Sequence, residues 1–350
     1  MRLAQNIFLL HAEKLDSLLY FCPMIVVTGA LGFIGSALLG DLERAGYGSL
    51  VAVDDFLHSN KFPNLENKNI SQRVERESFF EWLSENSRFV QCIFHIGART
   101  RTNEFDWDVL NHLNVHYSQK LWQMCSQENI PLIYASSAAT YGNGSEGFSD
   151  NDAGNQLKPL NPYGQSKHIF DLWVEEQVEQ GIQPPFWAGF KFFNVFGPNE
   201  YHKDRMASVV FHAFHQIQET GKMKLFKSYR NDYPDGAQRR DFVYIKDVTS
   251  VLMHFMESRK HSGLYNLGCG ESHTFRELAV AVFEALDIPV QIEYVDMPED
   301  IRDNYQYFTQ AEMSKVRSAG YETSFWDFSV AVKDYVQGYL MQKEGKKSYL

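Results

Sequence analysis

Tyr163 and Lys167 stand four residues apart in the stretch NPYGQSK. On a helix that spacing puts a phenol and an ammonium on one face. A phenol with a pKa near ~10 is a poor base at neutral pH. A neighbouring lysine charge and a positive nicotinamide ring lower it, so that a tyrosinate can take a hydroxyl proton as hydride departs. Upstream, YASSAATYG places Ser136 and Ser137 just after an apolar run. A hydroxyl there can orient the reacting oxygen, although a serine at a strand end also commonly caps a helix or closes a turn.

Hydride chemistry needs a cofactor, and VTGALGFIGSALL offers a place for one. Gly29, Gly32 and Gly35 follow an apolar run and precede a helical pattern. Glycines at this spacing also punctuate ordinary turns. At a strand-to-helix junction, however, the helix amino terminus offers N–H groups to a pyrophosphate, and the missing Cβ atoms allow close approach. Asp54 comes 19 residues after Gly35, at the end of the next apolar run. An acidic residue there can accept a hydrogen bond from an adenosine ribose hydroxyl. Glycine turn, Asp54, Ser137 and the Tyr163–Lys167 pair, in that order, are hard to obtain by accident.

The elements that must position these groups alternate along the chain. Apolar runs MIVVTG, LVAVDD, QCIFHIGA, PLIYASS and FWAGFKFFNVFG read as strands. Between them, SALLGDLERAG, VLNHLNVHYSQKLWQMCSQEN and KHIFDLWVEEQVEQG read as helices. Near-continuous apolar strands separated by helices predict a doubly wound, Rossmann-type α/β fold with a parallel sheet covered on both faces. Beyond about residue 194 the alternation fades into loops rich in Pro, Gly, Tyr and charge. The expected division is an N-terminal extension over 1–23, a dinucleotide-binding domain over 24–193, and a smaller, mainly substrate-binding part over 194–350 with segments returning to the first domain. The extension reads as a dispensable arm or an upstream start, because the first strand begins at Met24.

Composition sets further bounds. A net charge of −11 argues against broad binding to nucleic acid or to an anionic membrane. The four cysteines, Cys22, Cys92, Cys125 and Cys269, form no CxxC, which fits reduced thiols in a cytoplasmic protein. His212 and His215 lie three apart, but without a third ligand motif they read as packing or hydrogen-bonding residues, so no metal is expected.

With RRDFVYIKDV and YNLGCG added to these motifs, the chain resembles the extended short-chain dehydrogenase/reductases that act on nucleotide sugars. HKDRMASVVFH and the late FTQA narrow the resemblance to the branch that epimerises ADP-heptoses at carbon 6, and it runs from Met24 almost to the end. The resemblance implies that Phe33 and Ile34 lie against a cofactor pyrophosphate and that Asp54 and Asp55 meet its adenosine end. It matches Lys61 and Arg76 to basic positions that meet a 2′-phosphate, so NADP is expected, although Asp54 alone would favour NAD. Ile96, Gly97, Ala98, Arg99, Asn114 and Val195 would line the cofactor together with Lys167. Asn194, Arg205, His212, Phe226, Lys227, Ser228, Tyr229, Arg240 and Tyr305 would meet the ADP-heptose, with Arg240 suited to its diphosphate. Lys203 would be a second acid/base group facing Tyr163 across the sugar, with Ser137 touching substrate as well. The family also implies a homopentamer.

Three local departures stand out. Arg205 replaces a small hydroxyl residue, Arg99 replaces a smaller residue, and YPDGAQ lengthens the loop before Arg240. Other activities remain open at this stage. One is a nucleotide-sugar 4-epimerase or 4,6-dehydratase, although a dehydratase needs an acid beside the serine, where Ala138 stands. A cofactor-binding scaffold with a dead site is another.

Overall fold

The computed structural model describes residues 23–57, 59, 61–100, 104–151, 154, 156–302, 305–342 and 349. Of the 1–23 extension, all but Pro23 lies outside the described residues.

A seven-stranded, wholly parallel sheet organises the chain, in the order β11-β6-β5-β4-β1-β2-β3. Its strands are β1 (Met24–Thr28), β2 (Leu50–Asp54), β3 (Gln72–Glu75), β4 (Val90–His95), β5 (Leu132–Ser137), β6 (Trp187–Phe192) and β11 (Gly263–Leu267). Helices α1 (Phe33–Arg44), α2 (Phe79–Asn86), α3 (Tyr117–Gln127) and α4 (Pro162–Glu179) connect the strands up to β6. Successive side chains of a strand point to opposite faces, and both faces here are covered. Ile25, Val27, Cys92 and Phe94 enter one core, whereas Met24, Val26, Ile93 and Leu132 enter the other. The predicted doubly wound α/β architecture is the observed one.

Two strands of the main sheet, β3 and β11, lie outside the runs that read as strands, and one such run is too long. β3 is an edge strand that buries only Val74, so no apolar run marks it. FWAGFKFFNVFG reads as one strand but is two. β6 stays in the main sheet, and β7 (Asn194–Phe196) pairs instead with β10 (Phe242–Tyr244). The break falls at Phe193, whose N–H donates to Leu267 O, while the next N–H, from Asn194, donates to Asp241 O.

Beyond β7 lie α5 (Val209–Thr220), β8 (Met223–Phe226), β9 (Arg239–Arg240), β10 and α6 (Ile245–Ser258). After β11 come β12 (His273–Thr274), α7 (Phe275–Ala285), β13 (Ile292–Val295) and α8 (Phe328–Tyr335). β8 pairs with β13 and β9 with β12, two small sheets outside the main one. The site depends on one feature of the main sheet. Strand order reverses between β1 and β4, and the crevice beyond the carboxyl ends of such strands is where α/β sheets bind ligands.

Candidate active site

The glycine turn occupies that crevice. Gly29 has φ +68°, and a Cβ there would stand 2.6 Å from the Gly97 Cα after β4. A Cβ on Gly35 would stand 2.2 Å from Gly29 O, so the first turn of α1 sits directly on the β1 loop. Gly32 is the N-cap of α1, without a capping side chain and without an acidic residue in the first turn. An amino terminus left uncapped and uncharged suits an anion. Asp54 braces this turn, accepting from Leu31 N (2.9 Å) and Asp55 N (2.8 Å) on separate carboxylate oxygens. A carboxylate has about four lone-pair sites, so acceptor capacity for a ribose hydroxyl remains. The residues present therefore fit a dinucleotide.

Behind the turn, a buried relay fixes the neighbouring segments. Ser118 donates to Asn114 O, so its oxygen accepts from His95 Nε2 (2.9 Å), and His95 Nδ1 faces the Thr28 hydroxyl (2.8 Å). Burial pushes His95 down to about 3, with the Lys167 charge adding to the effect, so the ring is neutral. The helix preceding α3 widens to a π turn over Asn111–His116. There the fully buried Asn114 donates to Ser166 Oγ and Arg99 O and accepts from Arg99 N. Arg99 itself is ion-paired with Glu104 at 2.9 Å.

Tyr163 and Lys167 lie in the first turns of α4, whose N-cap Asn161 accepts from Gly164 N. Lys167 Nζ donates to Ala135 O at 2.9 Å, and burial lowers its pKa to about 8 against an opposing pull from Asp171. Burial raises the Tyr163 phenol to about 12, opposed by its hydrogen bond with Ser137 and reinforced by the charge of Asp171. The protein's own groups thus do not bring Tyr163 down to neutral pH; a further positive charge is needed. Ser137 Oγ also accepts from Ala139 N, the short helical cap foreseen for a strand-end serine.

Tyr163, Lys167 and Ser137 open onto a cavity of about 320 Å³ that also holds Phe33, Ile34, Ile96, Ala98, Asn194, Val195 and Lys203. Lys203 Nζ stands 5.2 Å from the centre of the Phe33 ring, and burial lowers its pKa while buried Glu200 supports its charge. Asp204 takes φ 46° and ψ −123°, a conformation that costs a non-glycine residue roughly 1–3 kcal/mol. The helical path kinks at this residue: Lys203 lines the cavity, while Arg205 is exposed. Sequence reasoning missed Thr100, Ala135, Phe192, Phe193, Met206, Ala207, Ser208, Val209 and Phe242, which with Ser136 complete the walls. Ser208 had a readable signal, a serine just before an apolar-periodic helix, and it caps α5 through Phe211 N.

The remaining residues lie apart from this cavity. Arg240, Tyr305 and Phe226 form their own cluster, with the Arg240 guanidinium 5.4 Å from the Tyr305 ring centre and the Phe226 and Tyr305 rings 6.2 Å apart. Arg240 is buried and donates to the carbonyls of Arg239 and Gln306. A guanidinium carries about five N–H donors, so it keeps capacity for an anion. Tyr229 N donates to Tyr307 at the edge of this cluster, whereas Lys227 pairs with Asp296 and Ser228 N donates to Asp235. His212 is exposed on α5. Arg76 pairs with Glu77 at 2.8 Å and approaches Asp55 at 3.8 Å, and Lys61 precedes the short helical turn Phe62–Leu65 without a capping side-chain bond to it. A larger groove of about 650 Å³, beside α7 and α8, contains none of the candidate site residues but takes Pro234, Asp235 and Ala237 from the lengthened YPDGAQ loop.

Fold and site together define a nicotinamide-dependent enzyme of the Rossmann class. Residues 25–268 match the model of the NAD dependent epimerase/dehydratase family, and the chain belongs to that family. Among curated relatives, the ADP-L-glycero-D-manno-heptose-6-epimerase of Fusobacterium nucleatum is 41% identical over 338 residues, covering 93% of this chain and 100% of the relative. The enzyme of that name from Nitratidesulfovibrio vulgaris is 44% identical over 321 residues, covering 91% of this chain and 98% of the relative. Among solved structures, Helicobacter pylori ADP-L-glycero-D-manno-heptose-6-epimerase superposes with a TM-score of 0.73 at 26% identity, covering 90% of this chain and 97% of that one.

Proposed function

We propose that the chain interconverts ADP-D-glycero-β-D-manno-heptose and ADP-L-glycero-β-D-manno-heptose by transient oxidation at carbon 6, with tightly held NADP, supplying ADP-heptose for lipopolysaccharide core. The observation that carries this reading is one cavity lined by both Tyr163 and Lys203, in a chain 41% and 44% identical to enzymes of that name. When bound, the nicotinamide cofactor supplies reversible hydride exchange and a positive ring. Tyr163 takes or returns the carbon 6 hydroxyl proton of one epimer, Ser137 orients that oxygen, and the Lys167 charge favours the tyrosinate. Lys203 serves the hydroxyl of the other epimer. Two groups are needed because the oxygen occupies different positions in the two epimers, and the buried walls shelter the intermediate 6-ketone from water.

In this reading the ADP part meets Arg240, Tyr305 and the Phe226–Tyr229 segment, while Asn194 meets the sugar. Lys61 and Arg76 would meet the cofactor's 2′-phosphate. Residues 24–193 would act mainly on the cofactor and 194–350 mainly on the substrate, in a cytoplasmic homopentamer. Incubating the purified protein with ADP-D-glycero-β-D-manno-heptose and resolving the two epimers tests the proposal. Both epimers should appear at equilibrium with no net cofactor reduction. Turnover of a UDP-hexose instead would reassign the chain to the 4-epimerases or dehydratases of its family.

A further inference from the structure

One buried ion pair has no part in the chemistry above. Lys191 Nζ and Asp171 Oδ2 are 3.0 Å apart, and both side chains are fully buried. A pair so completely removed from water gains little stability over two apolar residues of similar size, so packing alone gives no reason for it. Its surroundings give one. Asp171 follows Lys167 by one more four-residue step along α4, as Lys167 follows Tyr163, on the same face. The same Oδ2 accepts from Ser136 (2.7 Å), the residue before Ser137, and Oδ1 accepts from Tyr134 (3.4 Å). Lys191 faces Ser136 across the sheet and donates to Thr140 at 2.8 Å.

We propose that Asp171, ion-paired with Lys191, is a positioning residue of the active site: it ties α4 to the end of β5 and its carboxylate favours the charged form of Lys167. This rests on the Tyr163–Lys167 chemistry proposed above. Burial draws Lys167 down to about 8, and Asp171 is the charge that opposes it. The other groups facing the pair and Lys167 do not substitute for Asp171. His95 on β4 is neutral, and Tyr134 on β5 and Tyr141 after it are held protonated by burial. On α4 itself, burial lowers His168 and raises Glu175, while Tyr163 stays protonated near neutral pH.

The sign follows directly. A lysine is charged below its pKa, so loss of the opposing carboxylate moves the loss of charge to lower pH. Asp171→Asn strands the Lys191 charge and can fail to fold, so the decisive variant is Asp171→Leu/Lys191→Met, which removes both charges. Lysine side chains carrying a carbon-13 label would be titrated by NMR in the full-length protein, with Lys167→Met assigning the signal. The Lys167 midpoint should fall by at least about one pH unit in the double variant, and the alkaline limb of kcat/KM should move with it. Asp171→Glu should keep the wild-type midpoint. A folded double variant with an unmoved Lys167 midpoint would overturn the proposal. Absence of ADP-heptose turnover by the wild type would instead sink the functional reading, with the NMR titration still deciding the role of Asp171.

Discussion

Tyr163 and Lys203 reach the cavity from separate parts of the chain, one from a helix and one from the turn over Tyr201–Met206. If each serves one epimer, removing either should stop epimerisation while leaving a competent half-site. Tyr163→Phe and Lys203→Met should each lower kcat by ~10²–10⁴-fold, the usual contribution of a general acid–base group. A 6-aldehyde analogue of the substrate separates the two roles, since its dismutation to acid and alcohol needs only one base. Each single variant should retain dismutation and the double variant should lose it. Near wild-type epimerisation by Lys203→Met would return that lysine to a bystander. At the cofactor end, Lys61→Ala/Arg76→Ala should lower the ratio of NADP to NAD affinity by about tenfold or more, at ~1.5–3 kcal/mol for each charge-assisted contact. Isothermal titration with both dinucleotides measures it. Arg76 already contacts Glu77 and Asp55, so Lys61 is expected to account for most of the change.

At the scale of elements, the β1–α1 junction is the tightest in the site. Gly35 touches Gly29 backbone to backbone, with no flexible side chain to give way. Gly35→Ala should therefore push α1 off the turn, destabilising the fold by roughly 1–3 kcal/mol as overpacking does. Urea unfolding reads the stability, and the dinucleotide content of the purified protein reads the site. A variant with unchanged stability and full cofactor content would show that α1 can shift without cost. The π turn over Asn111–His116 belongs to the same scale. It sets Asn114 between the Arg99 backbone and α4, so the glycine crevice and the Tyr163 helix are fastened to one side chain.

For the whole molecule, β1 begins at Met24 and lies between β2 and β4, so all seven described strands of the central sheet fall after residue 23. A chain starting at Met24 should fold, retain cofactor and turn over as the full chain does. Thermal denaturation and epimerisation assays on both chains check this. Aggregation or lost activity would mean that the extension docks on the fold or completes an interface. No helix among the described residues is long and apolar enough to cross a membrane.

Periodicity and glycine spacing determined five of the seven strands, the helices that follow β1, β4 and β5, and the cofactor turn, because each follows from local backbone geometry and from burial on both faces. Helical spacing likewise paired Tyr163 with Lys167. The sequence also contained two unread signals: a lysine inside the apolar strand WAGFKF, and Asp171 one helical step beyond Lys167. Their meeting depends on how α4 packs on the sheet and on the β5–β6 register that sets Lys191 beside Ser136, neither of which a local pattern encodes. Tertiary structure decided that Arg205, two residues after the cavity-lining Lys203, is exposed, since the kink between them needs Asp204 in a conformation that a non-glycine residue disfavours. It also decided the acid–base state of the site. Tyr163 and Lys167 owe their shifted pKa values first to burial, and burial is a property of the packed molecule.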